Sequence, residues 1–60
     1  MRITAEQITD TPNGRDMAIR VVTRLDSDLA LYARHLSNEE LARVLRDRGW
    51  SWNDVLRAES

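Results

Sequence analysis

His35 and Glu39 stand four residues apart, the spacing at which a carboxylate can orient an imidazole on one helix face. Asp26 with Asp28, and Glu39 with Glu40, are paired acids of the kind that can divide general acid and base work. Each has a simpler explanation. A helix boundary falls between His35 and Glu39, so they need not share a face, and a single histidine near a helix end is ordinarily a surface residue. The acid pairs sit where helices begin, at the positive end of the backbone dipole. With one histidine, no cysteine and two glycines, the chain lacks a zinc ligand set, a phosphate-cradling loop and a nucleophile paired with a base. The sequence therefore predicts neither an enzyme nor a resident metal or cofactor, and points to a binding protein.

The candidate binding residues are Arg20, Val22 and Arg24, which alternate along a β-branched segment, and Trp52 with Leu56 near the end of the sequence. Two guanidinium groups on one face can grip a carboxylate surface or enter a major groove together. Tryptophans are enriched among interface hot spots. With no phenylalanine and one tyrosine, large side chains are scarce. One tryptophan is needed for the core, and that role is assigned to Trp50, leaving Trp52 to the interface.

The elements that would position these residues follow from periodicity. From Met17 to Leu25 the side chains alternate, with Met17, Ile19, Val21, Thr23 and Leu25 on one face and Ala18, Arg20, Val22 and Arg24 on the other. That pattern predicts a strand. Thr11-Pro12-Asn13-Gly14 is a turn, since proline presets φ while asparagine and glycine accept conformations other residues resist. Residues 2–8 are read as the partner strand of a hairpin, with Met1, Ile3 and Ala5 inward. The competing reading is a short helix, because Thr4 and Gln7 have capping-box spacing.

Beyond Leu25 the period lengthens to about 3.6. Asp26 or Ser27 caps a helix whose Leu29, Tyr32, Ala33 and Leu36 line one face. Ser37 and Glu40 form a capping box flanked by the staple pair Leu36 and Leu41, and Leu41, Val44 and Leu45 supply the next buried stripe. Gly49 stops that helix in a Schellman-type turn with Trp50 folding back on Leu45. Ser51 and Asp54, with Trp50 and Val55, repeat the signature for a last helix from Trp52 to Glu59. The fold class expected is α+β, a hairpin over about residues 1–25 packed by two or three short helices over 26–60, in a single small domain.

The order of strand, Leu25-Asp26-Ser27-Asp28-Leu29, helix, and Gly49-Trp50-Ser51 opening a final helix resembles the ribbon-helix-helix DNA-binding family over about residues 18–60. That resemblance implies a dimer in which twin strands pair and Arg20, Val22 and Arg24 read the major groove. A helix-turn-helix reading would aim Glu39 and Glu40 at phosphates, which repel them.

Composition weighs between these classes. Ten acidic residues against nine basic ones give a net charge of -1 and no long-range attraction for nucleic acid. All nine basic residues are arginine, a bias that fits a bacterial or bacteriophage gene in a GC-rich genome. No apolar run reaches the ~20 residues of a membrane span, so a cytoplasmic protein without a membrane partner is expected. The leading expectation is a small regulatory protein that docks on another protein, with a homodimer or DNA as the competing partners.

Overall fold

The computed structural model describes residues 2–60, with Met1, assigned above to the inner face of the first strand, lying outside them. It has four α-helices: α1 Ala5–Asp10, α2 Gly14–Leu25, α3 Asn38–Asp47 and α4 Trp52–Ala58. Two single 3₁₀ turns, Ser27–Leu29 and Ala33–His35, join α2 to α3. Among the described residues there is no strand, so the α+β class and the hairpin over 1–25 are overturned in favour of an all-helical fold.

Residues 5–10 are helical rather than extended for local chemical reasons. Thr4 caps α1: its Oγ1 accepts the Gln7 N–H at 3.3 Å, and the Thr4 N–H donates to Gln7 Oε1 at 2.9 Å. Ile3 precedes this cap and Ile8 follows it by four residues, the positions of a hydrophobic staple, and both are fully buried. Box and staple hold a helix of six residues that would be unstable in isolation.

α2 replaces the strand expected over Met17 to Leu25. Its β-branched residues cost helix propensity, by up to about 0.7 kcal/mol each. Burial outweighs that cost, because Gly14, Ala18, Val21 and Val22 fall on one helical stripe turned to the core. Adjacent Val21 and Val22 cannot both face inward from a one-sided strand; on a helix they lie about 100° apart and both do. α2 is the central element, packing on α1, α3 and α4 and on both 3₁₀ turns.

The turn between α1 and α2 forms as the sequence implies. Asn13 takes the left-handed conformation at φ 59°, and the Gly14 N–H donates to the Thr11 carbonyl at 2.8 Å. Gly14 serves close approach: a Cβ there would lie 2.2 Å from the Ile8 carbonyl oxygen.

The helix expected over Asp26–Leu36 breaks into the two 3₁₀ turns. Asp26 caps the first, accepting the Asp28 N–H at 3.0 Å, and Arg48 fastens this corner by donating to the Leu25 carbonyl and to Asp26, each at 3.0 Å. Ala33 is buried and Leu29 and Leu36 pack against the core, whereas Leu31 and Tyr32 point outward.

α3 and α4 follow the capping chemistry of their sequences. Both members of each box are present, Ser37 with Glu40 and Ser51 with Asp54. Gly49 ends α3 at φ 78°, and the Trp50 N–H donates to the Leu45 carbonyl at 2.9 Å, closing the Schellman turn. Ile3, Ile8, Val21, Val22, Leu41, Leu45 and Val55 are the largest fully enclosed side chains of the core. Among the described residues no buried side-chain nitrogen or oxygen lacks a partner, and no helix is long and apolar enough to cross a membrane.

Candidate functional site

The helical α2 redistributes the residues singled out from the sequence. Arg20 and Arg24 are one turn apart and share a face. Val22, two positions from each, is turned to the opposite side and is completely buried. The outward Arg20-Val22-Arg24 ribbon therefore does not form, and the strand that would read a major groove is absent from the described residues.

Trp52 is 7% exposed and belongs to the core. Its indole N–H donates to Thr11 Oγ1 at 3.0 Å, and that hydroxyl donates to the Gln7 carbonyl at 2.8 Å, tying α4 to the turn after α1. Trp50 is half-buried and packs against the core, as expected of it, so both tryptophans serve the core and Trp52 is not left open for an interface. Leu56 remains partly open at 37% exposure.

What the fold assembles around Arg20 and Arg24 is an open cleft of about 480 Å³. α2 contributes Ile19, Arg20 and Arg24, the 26–37 connection contributes Ala30 and Arg34, and the end of α4 contributes Glu59. Arg20 Nε donates to Glu59 Oε1 at 2.5 Å, and Arg24 Nη2 donates to Glu59 Oε2. The Glu59 side chain is 9% exposed, while those of Arg20 and Arg24 are 58% and 57% exposed. The hydrogen bond from Arg20 holds the Glu59 carboxyl below its ordinary pKa; the charges of both arginines add to that, against a smaller upward push from desolvation.

Two guanidinium groups thus hold one carboxylate, Arg34 is a third arginine along the cleft, and Ile19 and Ala30 give it an apolar side. Leu31 and Tyr32, which sit in the chain between Ala30 and Arg34, are 83% and 60% exposed. No sequence signal joined Glu59 to Arg20 across 39 residues. Arg34, Leu31 and Tyr32 were missed because a regular helix over 26–36 would have placed Tyr32 in its buried stripe.

The other arginines have different duties. Arg15 donates to Asn38 Oδ1 at 2.8 Å and to the Arg34 carbonyl at 2.9 Å, while Asn38 Nδ2 donates to Thr9 Oγ1 at 3.1 Å. This network fixes the start of α3 and the backbone of Arg34 against α1 and α2, and so positions one wall of the cleft. His35 ends the second 3₁₀ turn and Glu39 lies in the first turn of α3, both on the surface. Among the described residues no three His, Asp or Glu side chains converge in a way that could hold a metal ion.

Comparisons of the chain with known protein families, with characterised proteins and with solved structures return no match.

Proposed function

We propose that this chain is a protein-docking module whose arginine cleft receives an acidic, apolar-flanked segment of another protein. The observation that carries the reading is the local charge imbalance, three arginines against one glutamate along the cleft, with the exposed Leu31 and Tyr32 in the chain segment between its lining residues Ala30 and Arg34. In a chain of net charge -1, this concentration of arginine is local. Guanidinium forks favour carboxylates, and an exposed leucine and tyrosine supply the apolar contact from which interface affinity is built. Leu56 precedes Glu59 by one helical turn and is partly exposed.

Selection of peptides from a random display library on the immobilised domain tests this reading. The expected binders combine Asp or Glu with aliphatic or aromatic residues. Arg34→Ala, whose side chain has no carboxylate within ion-pair distance among the described residues, and Tyr32→Ala, on an exposed side chain, should each leave the circular dichroism spectrum unchanged and weaken those binders about tenfold. Peptides without acidic bias, or binding indifferent to both substitutions, would overturn it. Retention of double-stranded DNA with a steep salt dependence that Arg34→Ala reduces would instead reassign the cleft to nucleic acid.

A further inference from the structure

Glu59 occupies the cleft in the way an incoming ligand would. Its two carboxylate oxygens are divided between Arg20 and Arg24, and each guanidinium engages it through a single nitrogen. A guanidinium carries five N–H donors, so most of the donor capacity of both arginines is left over, on side chains that are more than half exposed. The remaining wall, Arg34, has no carboxylate within ion-pair distance among the described residues.

The attachment of Glu59 is also weak. It is the C-cap of α4, a helix of seven residues, and it is tied to that helix by its own N–H donating to the Val55 carbonyl at 3.1 Å, with Ser60 closing the last turn on the Arg57 carbonyl. Helix ends of this kind open at little cost, and the Arg20 and Arg24 side chains that hold Glu59 are themselves more than half exposed. Val55 and Trp52, which anchor α4 in the core, lie one and two turns earlier.

We infer that Glu59 is an internal occupant of the Arg20–Arg24 clamp, and that a carboxylate of the docking segment displaces it when the partner binds. This rests on the docking reading above. An exchange of one carboxylate for another conserves the ion pairs, so the net gain comes from contacts Glu59 cannot make, with Arg34, Leu31 and Tyr32. The segment that fits has one acidic residue at the clamp, a second acid for Arg34, and an apolar side chain between them. Glu59 then sets the threshold of binding, since only the fraction of molecules with an open clamp is competent.

The probe is an acetylated and amidated hexapeptide of alternating glutamate and leucine, titrated into isotope-labelled protein while the Nε–H signals of Arg20 and Arg24 are followed. Glu59→Gln should bind this peptide about five- to tenfold more tightly than the unsubstituted chain, as for a clamp about 80–90% occupied internally. Arg20→Ala combined with Arg24→Ala should abolish the difference. In the unsubstituted protein the Glu59 side-chain carboxyl carbon should move toward the value of a free glutamate as the peptide saturates. That measurement stands even if Glu59→Gln perturbs folding. Equal or weaker binding by a folded Glu59→Gln, or an unmoved Glu59 carboxyl at saturation, would overturn the inference while leaving docking intact, provided Arg34→Ala still weakens the peptide. Binding insensitive to all three arginines, or none at millimolar peptide even with Glu59→Gln, would remove both.

Discussion

Replacing Gly14 with alanine sets two effects against each other. Alanine is the better helix former, by as much as about 1 kcal/mol within a helix, and at the first position of α2 it would gain somewhat less. Against this stands the packing of the α1–α2 corner. The new Cβ would lie 2.2 Å from the Ile8 carbonyl oxygen and 3.1 Å from both the Ile8 carbonyl carbon and Thr11 Cβ. A carbon and a carbonyl oxygen ordinarily approach no closer than about 3.3 Å, so the backbone must move by about 1 Å. The obstacle is main chain, and Ile8 is itself fully buried, so the shift is passed into the core. Overpacking of this kind costs about 1–3 kcal/mol, which leaves a net loss of about 1–2 kcal/mol after the helix gain. For a domain of this size the melting temperature should fall by about 4–16 °C. Thermal melts and urea titrations followed by circular dichroism at 222 nm read this directly, with the midpoint lowered and the slope unchanged. An unchanged or raised melting temperature would refute the close-approach argument. Gly49 is the control, because nothing lies within 4 Å of its Cβ position and only its φ of 78° resists a side chain. Asparagine should therefore recover much of the loss seen with alanine at Gly49 and none at Gly14.

Three further outcomes follow from the same contacts. Trp52→Phe removes the indole donor to Thr11 and should cost about 1 kcal/mol from that hydrogen bond; a double-mutant cycle with Thr11→Val should give a coupling of about 0.5–1.5 kcal/mol, and a coupling near zero would deny the bond its role. Ser51→Ala should cost about 1 kcal/mol in urea denaturation by uncapping α4, and an unchanged midpoint would show that core docking alone holds that helix. Stability should fall on acidification below about pH 4, because three carboxyls are held below their ordinary values in the folded chain: Glu40 and Asp54 by backbone N–H groups of Ser37 and Ser51, and Glu59 by Arg20. The unfolded chain takes up these protons first, so stability is fully present above the ordinary carboxylate range and is lost as pH drops through the lowered folded values. Melting temperatures measured from pH 7 to pH 2 should be flat and then decline, more shallowly for Glu59→Gln, and a rise on acidification would contradict the assignment.

The sequence by itself determined the parts of this protein whose chemistry is local. Ser37 with Glu40, Ser51 with Asp54, the glycine stop at Gly49 and the turn at Pro12-Asn13 are each completed within a few residues, so side-chain type and spacing suffice to place them. Thr4 with Gln7 carries the same signature, but the strand expected over residues 2–8 set it aside, and the staple positions of Ile3 and Ile8 that support the helix went unused.

The alternation from Met17 to Leu25 pointed to a strand, and wrongly, because the same apolar residues also satisfy a period of 3.6. Only the surfaces of α1, α3 and α4 decide between them, by burying Val21 and Val22 side by side. The same tertiary choice turned Val22 inward, brought Arg20 and Arg24 onto one face, and carried Glu59 to them from the far end of the chain. Contacts across such separations depend on how helices pack, and packing is a property of complementary surfaces that no single segment contains.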